Sequence, residues 1–562
     1  MLIRIYERDH PAVIQKNIML MKKTLLLSAL LFSAAAANAA DVTATYQASA
    51  WLKSANMCNF DAVAPANATD FYVGGTFDNG TATKTAEALY WSDTEIVAKD
   101  SYTGSIVKNV LLARADAQCA PVWTIAPDFA QCENNSVFLT RLQSGSAVYA
   151  FNLRASNAAS GKAFSFTDKA GKKVEISVAP QATATNTNCG LILCLSPNGV
   201  YQWHVVIEAD NFTAEDTSVA APVTFTATSI VADSHDNVFL AGNYGGGYLD
   251  FGNGVKAPAA ANTTITNGKA AGATSFVVKI NHEGKATSVL TALAGAGAGA
   301  KETQQVLATD GSQLALAEYA DAAAGKSIRY FRLDGTLDLV ADPTEYSIAT
   351  TGTVQLSSAA FHSGELLING NSNQALTQDD EKIFTPAAAA KLEGLTIRAS
   401  FTPGAPSTCY ATGVNIGQTN YSWVNDGKLL TYGYCMTGSK VNLNVFDYAT
   451  AERLQTIDLA VAGTTKSAFF NENNNTLYGT SYARSASFPG TDVKYTATAF
   501  NGILGAWNVA GLSGAINSVA DDTVDADAPV EYFNLQGMRV VNPSKGSLVI
   551  RRQGTKVAKV IF

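Results

Sequence analysis

The most regular pattern of hydrophobic and polar positions along the chain is a pair of apolar runs joined by a short turn. It is seen in three places: Leu191–Ile207 with Gly199 in the turn, Phe276–Leu290 with Gly284, and Ile328–Val340 with Gly335. A residue that tolerates positive φ between two alternating runs predicts a β-hairpin. Because the hairpin recurs along the chain, the sequence indicates a repeat protein.

Each hairpin follows another apolar strand that ends in a turn. Such leading strands are predicted at Asp70–Thr76, Asn237–Gly247, Gln313–Tyr319, Glu365–Gly370, Lys428–Tyr434 and Thr476–Tyr482. Weaker hairpins are predicted at Val110–Ile125, Leu443–Ile457 and Ile503–Ile516. Trp203 lies four residues after Gly199, and Trp123 lies four residues after Cys119. We therefore expect Cys119 to occupy a turn position like that of Gly199.

Leading strands and hairpins together make about six to seven units, spaced roughly 45 to 85 residues apart. A four-stranded sheet needs roughly 40 to 50 residues, so the longer spacings indicate inserted loops, as at 256–273 and 292–300. One such sheet leaves an apolar face uncovered, whereas a ring of sheets covers each face with its neighbour. We predict an all-β fold, a β-propeller of about six to seven irregular four-stranded blades. A β-sandwich pair and an open solenoid are the structural alternatives.

The first residues have the pattern of a secretory signal peptide. A basic pair at 22–23 precedes an apolar run over 25–32, and small residues follow up to Ala39. The apolar run is shorter than the roughly 20 residues that a membrane span needs. We predict signal cleavage between Ala39 and Ala40 and hence export, with a single membrane anchor as the alternative. No later stretch of the sequence is apolar over a membrane-spanning length.

The composition changes after Ser518. Residues 519–530 contain four Asp and no apolar periodicity, which is typical of a linker. Residues 531–562 contain three apolar runs with turns at Gly537, Pro543–Gly546 and Gly554, and they predict a small β-meander. The predicted organisation is upstream residues and signal peptide over 1–39, propeller over 40–518, acidic linker over 519–530 and a C-terminal β-module over 531–562.

The net charge of the predicted mature chain argues against two classes of binding partner. Removal of residues 1–39 removes five of the 39 basic residues and two of the 47 acidic ones, which leaves a net charge of −11. Nucleic acid and anionic membrane both require clustered Lys and Arg, so neither is expected as a partner.

Seven cysteines fit an oxidising compartment but are too few for a disulfide-built scaffold. Cys189 and Cys194 are five residues apart on an extended stretch, about 16 Å, and cannot bridge to each other. Two other pairs are close enough in sequence to close between neighbouring strands: Cys119 with Cys132, and Cys409 with Cys435. Cys58 is then left over.

Residues 231–284 resemble the β-propeller repeat of exported bacterial proteins. That repeat runs approximately Asp-x-x-Gly-Asn-Val-Tyr-x-x-Gly, then Asp-Phe-Gly, then Phe-Val-x-Lys-x-x-x-x-Gly. The matching stretches are Asp233–Gly242, Asp250–Gly252 and Phe276–Gly284, with Asp236 where the repeat usually has glycine. The resemblance implies a propeller fold and an exported protein.

The C-terminal residues resemble the short terminal domains of exported Bacteroidetes proteins, similar to the Por-type (type IX) sorting signal. Tyr532–Gly537, Lys545–Gly546 and Lys556–Ile561 carry the resemblance. It implies that the tail engages the export machinery for passage across the outer membrane, and is then removed or used for surface attachment. A stabilising terminal β-module is the alternative.

Candidate catalytic and metal-binding residues are sparse. The predicted mature chain has four histidines, His204, His235, His282 and His362, and none belongs to a recognisable acid, histidine and nucleophile cluster. Asp233–Asn237 offers oxygen atoms for calcium but lacks further ligands and a glycine in register, so we expect a turn closed by Asx hydrogen bonds. Zinc-ligand spacings and phosphate-binding glycine loops are absent from the sequence. We predict no catalytic residue, no metal and no cofactor.

These observations favour an exported, non-catalytic propeller that binds a protein or a glycan at the cell surface or outside the cell, with the periplasm as the alternative location. Rigid blades would present loops on one face as the binding surface. One alternative is a polysaccharide hydrolase or lyase, in which two carboxylates about 5 to 9 Å apart converge in the propeller channel. A structural or adhesive surface protein is the other.

Overall fold

The computed structural model describes residues 41–54, 56–78, 88–98, 108–130, 136–155, 162–178, 187–210, 224–245, 248–258, 265–266, 269–270, 274–291, 303–322, 325–340, 346–387, 391–413, 417–435, 440–488, 491–512, 530–533, 539–540, 543, 548–553 and 556–561. Within these ranges every regular element is a β-strand. Ala39, Ala40 and Cys132 lie outside them, as does most of the predicted linker. Signal cleavage therefore stays a prediction.

Seven antiparallel sheets, which we number as blades in chain order, have strands that follow chain order from the inside outwards, except that the outer strands of blade 7 come from the start of the described chain. Blade 1 contains β2 (Cys58–Pro65), β3 (Phe71–Asp78), β6 (Lys108–Ala115) and β7 (Pro121–Ile125). Blade 2 contains β9 (Phe138–Arg141), β10 (Ala147–Ala155), β13 (Thr187–Leu195) and β14 (Tyr201–Asp210), extended by β17 (Tyr248–Asp250) and β18 (Lys256–Ala257). Blade 3 contains β15 (Thr224–Ala232), β16 (Val238–Gly245), β21 (Thr274–Ile280) and β22 (Ala286–Thr291).

The remaining four blades continue the series. Blade 4 contains β23 (Thr303–Thr309), β24 (Leu314–Ala322) and β25 (Gly325–Leu333). Two strands, β26 (Leu339–Val340) and β27 (Tyr346–Thr350), pair with β25, and β30 (Leu376–Gln378) and β31 (Glu381–Phe384) extend the sheet from β27. Blade 5 contains β28 (Val354–His362), β29 (Glu365–Ser372), β32 (Glu393–Ala399) and β33 (Thr408–Ala411). Blade 6 contains β34 (Gly417–Asn425), β35 (Lys428–Cys435), β36 (Lys440–Asp447) and β37 (Arg453–Ala462). Blade 7 contains β38 (Thr464–Asn471), β39 (Thr476–Ser487), β40 (Lys494–Ala510) and β1 (Thr43–Lys53), extended by β4 (Leu89–Trp91) and β5 (Thr94–Val97).

The innermost strands of the seven blades form a closed circle. Each contacts the innermost strand of the next blade, and β38 of blade 7 contacts β2 of blade 1. The predicted β-propeller is therefore confirmed, with seven blades, and the sandwich and solenoid alternatives are wrong for the described residues up to Gly511. Two small satellite sheets lie outside the blades, one of β8 (Phe129–Ala130), β11 (Lys162–Thr167) and β12 (Lys173–Ser177), the other of β19 (Ile265–Thr266) and β20 (Lys269–Ala270).

Successive residues of a blade strand pack against different neighbouring blades. In β3, Phe71 and Val73 belong to the apolar cluster shared with blade 7, whereas Tyr72 belongs to the cluster shared with blade 2. All eight residues of β3 are buried. A sheet buried on both faces requires continuous apolar strands rather than alternating ones, which explains the apolar runs in the sequence.

The ring is closed by pairing between the two ends of the propeller. β1, from the start of the described chain, lies between β40 and β4, and it pairs with β40 from Thr43 opposite Ala510 to Leu52 opposite Gly502. Blade 7 thus combines three late strands with one early strand.

The hairpin turns between the third and fourth strands of a blade confirm the predicted turn positions of Gly199 and Gly284 and the predicted turn position of Cys119. Cys119, Gly199 and Gly284 have φ angles of 59°, 74° and 77°, so Cys119 occupies the same left-handed turn position as the two glycines. The ladder register shifts just beside each of these turns, as expected for a type I turn followed by a bulge.

The predicted turn position was wrong for the third hairpin. The left-handed residue there is Leu337 with φ 74°, not Gly335. Asp334 begins this turn, and its Oδ1 accepts hydrogen bonds from the backbone N–H groups of Thr336 and Asp338. Those Asx bonds close the turn without glycine at the left-handed position.

The recurring tryptophans hold adjacent blades together. A Cβ atom added at Gly284 of blade 3 would lie 2.6 Å from the Trp203 ring of blade 2, and one at Gly199 would lie 3.1 Å from Trp123 of blade 1. Trp123 Nε1 also donates to the carbonyl of Pro197 in the blade 2 turn, at 3.0 Å. The regular spacing of tryptophan after the turn thus reflects packing between blades.

The cysteines of the described ranges are thiols, all of them buried except Cys409, which is half-buried. Cys409, in β33 of blade 5, is a thiol, so the predicted pair with Cys435 of blade 6 is not formed. Cys119 is also a thiol, and its predicted partner lies outside the described residues. The Cys58 thiol donates to the Leu52 carbonyl at 2.9 Å. Closeness in sequence did not predict pairing, because Cys409 and Cys435 lie in strands of two different sheets.

Residues Leu512–Phe562 form a second compact unit. Its described strands are β41 (Val530–Phe533), β42 (Arg539–Val540), β43 (Leu548–Gln553) and β44 (Lys556–Ile561), in the order β42-β41-β43-β44. The sequence predicted three strands in meander order, but β43 pairs with the free side of β41 and leaves β42 at the edge. Glu531 in β41 lies 3.5 Å from Arg539 of β42 and from Arg552 of β43, and these ion pairs tie the three strands.

Throughout the described ranges, no helix has the length and apolar character needed to cross a membrane.

Candidate functional site: the mouth of the propeller channel

Five of the seven innermost strands contain a β-bulge at the same level of the ring. The bulge residues, which have no opposite residue in the strand pairing, are Asp61 in β2, Thr228 in β15, Ser357 in β28, Asn420 in β34, and Lys466 with Ser467 in β38. A bulge re-aims a side chain out of the regular alternation. All six of these residues line the central channel of the propeller.

Each bulge lies opposite a glycine of the second strand. The glycines are Gly75, Gly242, Gly370, Gly433 and Gly479. A Cβ at Gly75 would lie 2.5 Å from the carbonyl oxygen of Asn59, and Gly242, Gly370 and Gly433 face inner-strand carbonyls in the same way. Only glycine permits this approach of two backbones. β10 and β24 have no glycine, and their partners β9 and β23 pair without a register shift.

The channel contains two connected cavities. The upper one, of about 540 Å³, lies at the end where the inner strands begin, and its lining includes Thr226 and Thr464. The deeper one, of about 280 Å³, is lined by more apolar side chains such as Ile230, Leu307 and Ala468. A volume of several hundred Å³ is typical of small-ligand sites.

The upper cavity has a lining rich in amides and hydroxyls. Its polar residues are Ser136, Asn152, Thr226, Thr228, Gln304, Gln305, Ser357, Gln418, Asn420, Thr464, Thr465 and Lys466. Amides and hydroxyls can each donate and accept hydrogen bonds. The mouth of the channel therefore matches a ligand that carries both donors and acceptors.

Hydrogen bonds between blades fix this lining around the ring. Gln418 Nε2 donates to Ser357 Oγ at 2.7 Å, and the Thr465 hydroxyl donates to Asn420 Oδ1. The Thr228 hydroxyl donates to Gln305 Oε1 at 3.2 Å, and Gln305 Nε2 donates to Asn243 Oδ1 at 2.7 Å. The innermost strand of blade 4 has no bulge, and there the long Gln305 side chain forms the hydrogen bonds to Thr228 and Asn243 of blade 3.

Two charged side chains are found among the described lining residues. Lys466 lines both cavities, and Asp61 lines the deeper one, where its Oδ2 accepts a hydrogen bond from the Thr76 hydroxyl at 2.8 Å. The described lining thus contains one carboxylate, whereas glycosidase chemistry needs two.

Long connections leave three of the blades at the end where the upper cavity lies, and the strands that they contain extend the outer edges of neighbouring blades. The second and third strands of a blade are joined at this end, and these connections contain β4 and β5 after β3, β17 and β18 after β16, and β30 and β31 after β29. The turns between first and second strands, by contrast, are short, as at Asp426–Gly427. The predicted loop-bearing face is therefore the one where the upper cavity lies.

The four histidines do not come together. His204 lies in β14 of blade 2, His235 and His282 are exposed in two turns of blade 3, and His362 ends β28 of blade 5. None of them lines either cavity.

His204 is the histidine whose environment has the clearest consequence. Its Nδ1 is 2.8 Å from the Tyr201 hydroxyl, and burial lowers the pKa of His204 below its ordinary value of 6.5. His204 therefore binds a proton more readily in the unfolded chain than in the folded protein. The contribution of neutral His204 to stability is present above pH 6.5 and is lost as pH falls below 6.5.

We expect the unfolding free energy of His204→Gln to fall less than that of the parent protein between pH 7.5 and pH 5, as measured by urea denaturation. The exposed His282→Gln should follow the parent, and equal losses in all three proteins would contradict the prediction.

The Asp233–Asn237 loop is the Asx turn that the sequence predicted. Asp233 Oδ1 accepts from the backbone N–H groups of His235 and Asn237, at 2.8 and 2.9 Å. Asp236 takes a φ of 61° in place of the usual glycine, and its carboxylate accepts from the N–H groups of Gln143 and Ser144 in blade 2. In the described part of the chain, no group of three or more acidic, histidine or cysteine side chains could hold a metal ion.

Sequence reasoning missed the bulge residues that line the channel. The signal was present in the leading strands, because a glycine inside a strand indicates a bulge or a close backbone approach. Gly75, Gly242, Gly370, Gly433 and Gly479 all lie in predicted leading strands.

Comparison with solved structures finds similarity at the level of the fold. A structure described as the Dos1 propeller has a TM-score of 0.37 and 9% identity, over 83% of this chain and 95% of that chain. The β-propeller domain of the Trilobed protease from Pyrococcus furiosus, described as having an open velcro topology, has a TM-score of 0.37 and 7% identity, over 83% and 98% of the two chains. A polysaccharide lyase, a PL25 ulvan lyase, has a TM-score of 0.41 and 9% identity, over 77% and 92%. No family model matches the sequence, and no curated protein matches it.

Proposed function

We propose that this propeller is an exported, non-catalytic scaffold that binds a glycan at the mouth of its central channel. The observation that carries the proposal is the ring of bulges, which directs polar side chains of several blades into one cavity. A sugar presents hydroxyl groups on all sides, each of which can donate and accept, and the amide and hydroxyl lining has the same property. A binding site fixed by hydrogen bonds between rigid blades is already organised before the ligand arrives.

A substitution that fills the mouth tests this function. Ser357→Trp places an indole in the cavity of about 540 Å³, and we expect it to weaken glycan retention at least about tenfold, or roughly 1.4 kcal/mol. Val122→Trp, at a position that is 51% exposed in β7, is the matched control. The measurement is retention and breakdown of an immobilised glycan panel by the mature chain. Unchanged retention by Ser357→Trp would contradict the site, and released product would contradict the non-catalytic role.

We also propose, from the resemblances in the sequence, that the mature chain begins at Ala40 and reaches the cell surface or the medium through its C-terminal module. N-terminal sequencing of the exported protein tests the first part, and the location of a chain that lacks residues 530–562 tests the second. Retention of the truncated chain inside the cell is the expected result. Normal surface delivery would support the alternative, a module that only stabilises the terminus.

A further inference from the structure

We infer that the glycan bound at the channel mouth carries acidic groups and runs from the channel onto blade 7, an inference that rests on the proposed function. The surface concerned consists of Lys466, Tyr482, Phe500 and Arg484, which we refer to as the cation–aromatic strip. It begins inside the cavity and ends on the hairpin of β39 and β40.

The four side chains of the strip are in continuous contact. The Lys466 ammonium lies 5.4 Å from the centre of the Tyr482 ring, and the Tyr482 and Phe500 rings are 5.7 Å apart. The Arg484 guanidinium lies 4.7 Å from the centre of the Phe500 ring. The two aromatic rings therefore lie next to each other with one cation at each end, and each cation is held against a ring face.

The hairpin of β39 and β40 carries the outer part of the strip beyond the pairing with β38 and β1, and its end packs against blade 7, where the Phe488 ring lies 4.6 Å from the Tyr46 ring. The pairing of β39 with β38 ends at Tyr482, which lies opposite Thr464, the first residue of β38. The pairing of β40 with β1 ends at Gly502, which lies opposite Leu52. Residues 483–487 and 494–501 continue past both neighbouring strands. Because Thr464 and Lys466 line the upper cavity, the strip is continuous with the channel mouth.

The outer end of the strip is accessible. Phe500 is 41% exposed, which is unusual for so large an apolar side chain in this protein, and Arg484 is exposed as well. No carboxylate in the described ranges pairs with Lys466 or Arg484. Two cations without acidic partners on a chain with a predicted mature charge of −11 form a local positive site.

The combination of groups selects an acidic saccharide. Arg and Lys bind carboxylate or sulfate through charge-assisted hydrogen bonds. The exposed ring offers a flat apolar face, which suits the C–H face of a sugar ring, while the amides and hydroxyls of the mouth suit sugar hydroxyls. An acidic peptide would satisfy the two cations but would leave most of the amide lining without partners, so the polysaccharide is the occupant that uses the whole surface.

Binding to matched acidic and neutral polymers tests the inference. The probes are polygalacturonate with its methyl ester and dextran sulfate with dextran, and the measurement is calorimetry with the mature chain. We expect at least one acidic polymer to bind about tenfold or more tightly than its neutral counterpart. The advantage should fall when the ionic strength is raised, because salt screens exposed charges. The pair of acidic polymers distinguishes recognition of a carboxylate from recognition of a sulfate.

Variants of the outer strip complete the experiment, since they lie outside the cavity itself. Arg484→Gln and Phe500→Ala should each weaken binding of the acidic polymer about fivefold, with the neutral polymers little affected by Arg484→Gln. The control is Lys285→Gln, which removes an exposed ammonium paired with Glu283 at 2.8 Å in a turn of blade 3. Equal binding of acidic and neutral polymers, with Arg484→Gln unchanged, would overturn the inference and leave the proposed function intact. Binding of an acidic peptide such as polyglutamate with the same dependence on Arg484 would also overturn it. Absence of binding by all four polymers would overturn both.

Discussion

A chain that lacks residues 41–53 should not fold cooperatively. This deletion removes β1, so β40 and β4 lose their shared partner and the ring loses its closing strand. Trp51 and Leu52 are buried at 2% and 0% exposure, and each such side chain stabilises the folded state by roughly 1.5 to 3 kcal/mol or more. The two together contribute roughly 3 to 6 kcal/mol. This reaches the lower end of the total stability of a typical domain, about 5 to 15 kcal/mol, before the lost hydrogen bonds between strands are counted.

Thermal denaturation followed by near-ultraviolet circular dichroism measures this effect. The control is deletion of residues 530–562, because that segment belongs to a separate compact unit and its loss should leave the propeller transition unchanged. A synthetic peptide of residues 43–53 added to the shortened chain should restore the transition. A shortened chain that melts cooperatively within a few degrees of the parent, without peptide, would show that β1 is dispensable for closure.

Gly433→Ala should cost about 3 kcal/mol of unfolding free energy and weaken glycan binding as well. The added Cβ would collide with the carbonyl oxygen of Gln418 in β34, a backbone atom that can move only if the bulge changes. Overpacking of this kind costs about 1 to 3 kcal/mol, and a forced shift of the strand adds to it. Since the bulge sets the positions of Gln418 and Asn420 in the channel, the effect on stability and the effect on binding have the same cause.

Gly427→Ala is the matched control in the same blade. Gly427 has a φ of 68°, and no atom lies within 4 Å of the position its Cβ would take. This variant should therefore show only the backbone cost of a left-handed alanine, roughly 1 to 2 kcal/mol, and normal binding. Chemical denaturation gives the stabilities and calorimetry gives the affinities. If both glycine variants lost equal stability and neither lost binding, the proposed role of the bulge glycines would be wrong.

The hairpins could be predicted because their determinants are local. Gly199, Gly284 and Cys119 were placed correctly in turns, and the tryptophan that follows two of these turns marked the repeat. The prediction failed at Gly335, because the left-handed residue lies three places after the residue that begins the turn, as it does after Asn281, and this position is Leu337 in the turn that Asp334 begins. An aspartate at the start of a turn is also a local signal, but the glycine directly after it was taken as the left-handed residue.

The channel site could not be predicted in the same way. Asp61, Ser357 and Lys466 lie far apart in the sequence, on strands of three different blades, and no regular spacing relates them. The leading-strand glycines indicated bulges, but only the closure of the ring shows that the bulges meet at one level. The cysteines give the converse case, because Cys409 and Cys435 are close in the sequence but lie in different sheets.

The sequence by itself determined the all-β class, the repeated hairpin and the ring of blades, because alternation, turn residues and apolar faces act over distances of a few residues to one blade. The tertiary structure alone decided the number of blades, the strand that closes the ring, and the side chains that meet in the channel. Those features depend on contacts between residues that are remote in the chain, and their geometry is fixed only when the last blade packs against the first.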